Sequence, residues 1–571
     1  MKIQYKTQTD VLVIGSGGAG IKAAIKAAEA GVSVLLVSKH AFGRTGATFY
    51  PGTPGWGMQA VIHEGDSEAF FLEEILEAGA GMADPKLARI LAEQSTAAFR
   101  ELESYGLQFG KHEDGRYKGV IPCFGKRLRG SSTLGIDKIR RAMWLQLGKH
   151  DVTLRSGISV VALVKKEDQV CGAIAADEQN ELFHIEAKAV VLATGGGCGI
   201  YRHALATPDE TGDGYALALD AGASLVNIEF IQFIPGLVWP VQKKLFQEKN
   251  LDTLPQITNR LGENVVRKYL PPAYTVEQCL VERAKHGPFT TNDISFYVDV
   301  GMYEEAIAGN ALPSGGIHVQ YDRRVLTDDR WFIKSWLDWM HGMSVRPVEE
   351  GFDMIPHAQC FNGGIAIDEQ ACTGIVGLYA AGEVAGGPHG ADRLGGAAIA
   401  ATQVFGAIAG RESAAFAGSQ AKHLAVDDSE LDRIMEQRFA GQSDGIGVVD
   451  VDEAMREIRD TMWRCGAIVR SEERCLDGLS RVAAVAHSFS PIRQFESGTT
   501  IRRVIGLHSS IRLAWSLLTV MKERRESRGP HYRQDYPKPL DVFNCRLSLR
   551  QEIEGLSCSH MPLTVNNEKV K

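Results

Sequence analysis

Apolar positions change their period several times within the first forty residues. Val11 to Ile14 is an unbroken apolar run of strand length, Ile21 to Ala30 repeats at helical spacing before Gly31, and Val32 to Val37 is a second apolar run, broken only at Ser33. Between the first run and the helix stands Gly15-Ser16-Gly17-Gly18-Ala19-Gly20. The order strand, glycine turn, helix, strand predicts a βαβ unit that binds a dinucleotide. Gly15 serves the tight turn, Gly17 lets the backbone approach a pyrophosphate, and Gly20 lets the helix pack on the strand. The helix N-terminus offers unpaired N–H groups and a positive dipole end to the phosphates. The second strand of such units usually ends in an acid that holds a ribose. Here it ends in Ser38-Lys39, and a hydroxyl holds a ribose less strongly.

From Val152 the pattern shifts to short strands, VTLRS, VVALVKK, QVCGAIAAD and LFHIEA, separated by turn residues. A strongly apolar strand, Ala189 to Ala193, then meets Thr194-Gly195-Gly196-Gly197. Residues 233 to about 354 are less regular, carry Trp239, Trp331, Trp336 and Trp339, and predict an inserted α+β cap. The chain returns with Gly377-Leu378-Tyr379-Ala380-Ala381-Gly382-Glu383, a strand ending in a glycine and an acid. An Ala-rich helical stretch follows from Ala397 to Gly410. Beyond Asp427 the pattern turns helical and charged, with the longest stretches at Asp450 to Arg470 and Thr500 to Arg525.

Composition narrows the class. The 571 residues are 44% hydrophobic and 23% charged, as in an ordinary globular protein. With 62 Lys+Arg against 70 Asp+Glu the net charge is −8, which provides no overall field for nucleic acid. Ten cysteines include no pair at CxxC spacing, so neither a zinc ribbon nor an iron–sulfur cluster is expected in this chain. No metal site is expected. No run of 18 or more apolar residues is free of charge, so no membrane span is expected. The N-terminal apolar run leads straight into the glycine turn and reads as a strand, and a reducing, cytoplasmic location is expected.

The ordered motifs DVLVIGSGGAG (Asp10 to Gly20), LATGGG (Leu192 to Gly197), TGDGYALALDAGA (Thr211 to Ala223), EFIQF (Glu229 to Phe233), GLYAAGEVAGGPHGADRLGG (Gly377 to Gly396) and ESRGPHYRQDYP (Glu526 to Pro537) span nearly the whole chain. Together they resemble the flavoprotein subunits of the succinate dehydrogenase/fumarate reductase family, which includes L-aspartate oxidases. The resemblance implies an α/β fold: a Rossmann-like FAD-binding domain (1–232 and 356–426), an inserted capping domain (233–355), a helical C-terminal domain (427–525) and a tail (526–571). It implies bound FAD, with hydride exchanged between flavin N5 and a substrate carbon. Gly15, Ser16, Gly17, Ala19 and Gly20 are expected at the pyrophosphate, and Ser38 and Lys39 near the adenosine ribose. Thr45, Gly46, Ala47 and Thr48 are expected along the isoalloxazine. Ala193, Thr194 and Gly195 would border the adenine half, Asp213 would lie beside the flavin loop, and Glu383 would hold the ribityl hydroxyls. Ala398 and Ile399 would direct backbone N–H groups at the pyrimidine edge.

The substrate side departs from the family. The histidine after QF is Ile234, and the histidine before the later GG is Gln359, with His357 two residues upstream. The cap arginine falls near Gln278, with Arg283 close by. The final arginine remains as Arg393, and the asparagine before it is Asp392. Two carboxylates need cationic or donor partners when desolvated. The departures therefore imply a substrate with at most one carboxylate near Arg393 and an apolar or aromatic remainder against Ile234, with Trp56 or Trp239 as further wall. Candidate catalytic residues are Arg393, His357, His389 and Gln359. Arg525, Arg528 and Arg533 either belong to a solvated helix end or close over the active site. The first reading is enoate reduction or α,β-dehydrogenation. L-aspartate oxidase-like amine oxidation stays open. So does a flavoprotein that exchanges electrons with a separate iron–sulfur protein, as in fumarate reductase or adenylylsulfate reductase. A flavin protein without catalytic residues also stays open.

Covalently flavinylated members carry a histidine where this chain has Gly46, so the FAD is expected to be non-covalent. Acid precipitation of the purified protein should release all yellow colour into the supernatant; a yellow pellet would contradict this.

Overall fold

The structure is a computed structural model that describes residues 3–439, 450–488, 500–552 and 555–562. Its centre is a seven-stranded sheet. In spatial order the strands are Val152–Ser156, Val34–Ser38, Ile3–Ile14, Leu182–Leu192, Gln169–Ala176 and Ser159–Lys166, and Leu378–Ala380 also pairs with Leu182–Leu192. Pairing is parallel from Val152–Ser156 through to Leu182–Leu192 and antiparallel in the meander beyond it. The two apolar runs read separately at 182 and 189 form one strand, because Leu182–Leu192 pairs along almost its full length with Ile3–Ile14. The helix of the βαβ unit runs Gly18–Glu29 and packs with Ala397–Ser419 over one face of the sheet. Helices Glu68–Ala78, Pro85–Ser104 and Ile136–Leu147 fill the segment between the second and third strands.

The cap is α+β. A five-stranded sheet holds Lys244–Leu245, Ile231–Trp239, Phe352–Phe361, Ile317–Gln320 and Gln256–Thr258 in that order, with helices Val276–Arg283, Phe296–Ile307 and Trp331–Gly342. It has its own apolar core, which includes Leu237, Phe246, Ile317, Trp336 and Met354. The boundaries expected at 232/233 and 355/356 fall inside Ile231–Trp239 and Phe352–Phe361, which pair antiparallel. The cap is thus joined to the rest of the chain through two hydrogen-bonded strands.

Three helices, Val451–Gly466, Glu472–Ser488 and Ile501–Glu523, pack against one another after the Ala-rich helix. By length and composition Ile501–Glu523 is apolar enough to cross a membrane, but 72% of its apolar window is buried inside the protein. In the tail Cys545–Glu552 pairs antiparallel with Gly555–Pro562 and with Leu225–Val226, and so belongs to a second five-stranded sheet.

The charged end of the last helix is only in part a solvated face: Arg525 is exposed, whereas the residues on either side of it are drawn inward. Arg524 is completely buried and lies 2.6 Å from Glu229 and 3.0 Å from Glu526, both also buried. It donates further to the carbonyls of Phe543 and Cys545. Arg528 pairs with Glu526 and donates to the Ala80 carbonyl, and buried Arg533 pairs with Asp535 and donates to the Met521 carbonyl. These arginines tie the EFIQF stretch, the helix end and the tail together, and none closes over a cavity. Removing one partner of a buried charge cluster leaves the others uncompensated. Arg524→Leu should therefore cost about 3–5 kcal/mol, read as a lowered denaturation midpoint; an unchanged midpoint would contradict the cluster's role.

Candidate active site

The glycine turn is forced by contact. Gly15 has φ +111° and a Cβ there would overlap the Ala193 carbonyl; a Cβ on Gly20 would overlap the Gly15 carbonyl. The turn is thereby pressed between the ends of Ile3–Ile14 and Leu182–Leu192. Gly17 has no side chain to cap the helix; beyond the first N–H, which Thr48 takes, the helix start remains available to an anion.

Above this turn opens a cavity of about 500 Å³. Gly15, Ser16, Gly17 and Ala19 line it, as do Ser38, Lys39, Thr45, Gly46, Ala47, Thr48, Ala193, Thr194, Gly195, Asp213, Glu383, Ala398 and Ile399. Gly20 does not line it; its work is the helix–strand contact. Lys39 lies 2.6 Å from Asp213 and donates to the Asp209 carbonyl at 2.7 Å, so it clamps the 209–213 loop to the strand end. Burial alone would raise the Asp213 pKa, but the charge and hydrogen bond of Lys39 prevail and hold it below its usual value. Ser38 donates to the His40 carbonyl. The Thr48 hydroxyl accepts from Gly18 N–H at 3.0 Å, and Gly46, at φ +86°, donates to Thr207. Ala397–Ser419 starts at Gly396 with no side-chain cap, which leaves its first N–H groups at the cavity beside Ala398 and Ile399.

Glu383 accepts from Phe361 N–H at 3.0 Å. Glu210, which the sequence pattern did not single out, lines the same cavity and accepts weakly from Thr207. Burial raises the pKa of both carboxyls, and for Glu210 the charge of Glu383 adds to it. The Thr194 hydroxyl is buried without a partner. Uncapped helix starts, an orphaned hydroxyl and buried acceptors along one elongated cavity fit the donors and acceptors of a dinucleotide.

The other end is lined by Cys123, Ile234, Leu245, Pro288, Gln359, Cys360, His389 and Arg393. Arg393 is 7% exposed. One of its nitrogens donates to the Leu394 carbonyl, while its Nε has no partner. Asp392 does not neutralise it: that carboxyl accepts from Thr290 at 2.7 Å and Asn292 at 3.3 Å, both in the cap. Trp56 lines the cavity and donates to the Thr48 carbonyl, whereas Trp239 is surface-exposed and does not.

Two expected acid–base groups fail on geometry. His357 is not in the cavity; its ring packs on Gly236 and His203 and its Nδ1 bonds the Ile355 carbonyl. The bulge in the pairing near Phe233 shifts the strand face between His357 and Gln359. Arg283 is consumed by Asp299 and the carbonyls of His286 and Gly287, and Gln278 caps its own helix. His389 does face the cavity, but burial and then the charge of Arg393 lower its pKa to about 3. At neutral pH it offers a hydrogen bond and no acidic proton.

With this geometry in place, the comparisons are specific. The model of the FAD binding domain matches residues 10–253 and 305–399, and that of the fumarate reductase flavoprotein C-terminal domain matches 455–571. One subunit of the fumarate reductase (CoM/CoB) of Methanothermobacter marburgensis is 30% identical over 567 residues, covering 96% of this chain and 98% of that protein. L-aspartate oxidase of Nostoc sp. is 25% identical over 94% of this chain and 92% of its own. The structure of Mycobacterium smegmatis Sdh1 in complex with UQ1 aligns with a TM-score of 0.84 at 23% identity, covering 98% of this chain and 95% of that one. The molecule is an FAD-dependent oxidoreductase. The chain belongs to the fumarate reductase and succinate dehydrogenase flavoprotein family, together with the L-aspartate oxidases.

The change from asparagine to Asp392 is chemically muted. Burial pushes its carboxyl up to about 8, with Thr290 pulling the other way and the charge of Asp293 adding to the rise. At neutral pH the group is protonated and presents one donor and one acceptor, as a carboxamide does. A folded pKa above the unfolded value of 3.8 means that the folded state keeps a proton which the unfolded state loses. This contribution to stability is full below about 4 and is lost as pH rises through about 8. Asp392→Asn should remove it, so the melting temperatures of variant and wild type should converge near pH 4 and diverge, variant higher, toward pH 8. Parallel curves would contradict a protonated Asp392.

Proposed function

We propose that the protein interconverts a saturated acid and its α,β-unsaturated counterpart, on substrates with one carboxylate or carbonyl and an apolar remainder. Bound FAD would supply or accept the hydride. Arg393 carries this reading. It is a buried guanidinium that lines the cavity, with one nitrogen spent on the Leu394 carbonyl and no carboxylate paired to it. A carboxylate would satisfy it and be gripped in return. Ile234, Leu245 and Pro288 line the same cavity, and among the described residues no second cation lines that end with them. A second carboxylate there would be desolvated without a partner. Gln359 and neutral His389 would orient the carboxylate or carbonyl by hydrogen bonds. The Methanothermobacter relative is named as one subunit of its enzyme, which supports a separate protein as electron partner; an iron–sulfur protein is the class proposed.

The same relative favours a second reading, fumarate reduction, since its name carries that activity. Anaerobic reoxidation of the reduced protein separates the two. Crotonate or cinnamate should reoxidise it about tenfold faster than fumarate, equivalent to about 1.4 kcal/mol in barrier. Arg393→Gln should weaken substrate binding by about 100-fold, the loss of one buried charge-assisted contact. Fumarate as the best oxidant would establish the second reading.

A further inference from the structure

We infer that the thiol of Cys123 is the proton donor of this site and that Glu248 connects it to solvent. The inference rests on the enoate reading above. Cys123 lines the substrate end of the cavity, where the unpartnered, buried Arg393 Nε also lies. Its sulfur accepts the Gly287 N–H at 3.3 Å and donates toward a Glu248 carboxylate oxygen at 3.9 Å. Glu248 is itself only half-buried, so protons reach it from outside. The next residue, Phe124, is held at φ +65°, a costly conformation for a bulky side chain, and its ring stacks on His286 at 5.1 Å. That imidazole is fixed by the Pro288 carbonyl at 2.7 Å and by Asp293 at 3.2 Å. The loop bearing the thiol is thus locked onto the cap segment that supplies the Gly287 N–H.

Other groups leave this role open. His357 lies outside the cavity, and His389 and Gln359 have no acidic proton to give at neutral pH. The Cys360 thiol turns to its neighbour's carbonyl, that of Phe361. Glu210 has Glu383 and Asp209 as its charged neighbours and not Arg393, and Glu383, which does feel the Arg393 charge, is engaged by the Phe361 N–H and the Cys360 thiol.

The step balances. With the hydride that bound FAD would supply to the β-carbon, the C=C electron pair would move to the α-carbon. The S–H bond of Cys123 breaks and a C–H bond forms at that carbon, leaving the pair on sulfur. The Gly287 N–H and the charge of Arg393 stabilise the thiolate until a proton arrives through Glu248. Burial pushes this thiol up to about 12. At neutral pH the thiol therefore rests protonated, the form a proton donor needs.

The test uses the FAD-loaded protein, wild type beside Cys123→Ala and Cys123→Ser, with the enoate that reoxidises the wild type fastest. Both variants should keep the flavin spectrum and bind the saturated acid within about twofold of wild type, as the anchor Arg393 is untouched. The alanine variant should lose about 100-fold or more in kcat, the scale of a lost general acid, and serine should recover part of it. In D2O the wild type should place deuterium on one face of the α-carbon, and the alanine variant on both. Should the alanine variant fail to hold FAD, the serine variant decides by the same readouts. A variant with kcat and stereochemistry unchanged overturns the assignment while leaving the enoate reading intact. A wild type that no enoate reoxidises overturns that reading and this inference with it.

Discussion

One backbone contact governs this molecule. At the ends of the two central parallel strands the chain is so close to itself that neither Gly15 nor Gly20 has room for a Cβ, one against the Ala193 carbonyl and the other against Gly15. This compression sets the first helix with its uncapped start over the strand ends. The same crowding brings the ATGGG segment alongside, and Glu383 and the start of Ala397–Ser419 complete the walls. Were the turn looser, the elongated cavity would lose its floor. The cap, the three-helix domain and the tail strands are built outward from that point, and the buried Arg524 cluster holds the farthest pieces in place.

The substrate end obeys a different constraint, that of charge. Burying a guanidinium is costly unless its donors are used. The protein leaves the Arg393 Nε unused and hands the adjacent Asp392 to cap residues instead. The contrast between one cation without a paired carboxylate and the apolar residues that line the cavity with it is the basis for a substrate with a single acidic group.

Much of the dinucleotide half was legible in the chain because period and punctuation coincide there. A continuous apolar run can only be a buried strand when a glycine turn and a 3.6-residue pattern follow it. Val152–Ser156 and the meander after it are legible for a different reason, short strand-length runs punctuated by turn residues. The helices between residues 68 and 147 carry no such punctuation. At the other end, what the side chains face depends on pairing irregularities and distant partners that local pattern does not encode. His357 and Gln359 are two residues apart, yet a bulge puts only Gln359 in the cavity. Arg524 reads as part of a solvated basic run until Glu229, about three hundred positions earlier, is seen beside it. Cys123 and Glu248 come together only through the docking of the cap, so neither could be singled out along the chain.

The most direct measurement is a binding comparison between acids of matched length. Crotonate and fumarate, or butyrate and succinate, would be titrated into the oxidised FAD-loaded protein while the flavin absorbance is followed. A single buried anchor facing an apolar wall predicts that each monocarboxylate binds more tightly than its dicarboxylate partner, and that Arg393→Gln abolishes the difference. Tighter binding of fumarate and succinate would contradict a single-anchor site, since it would require a second cationic partner at the end of the cavity assigned to Ile234.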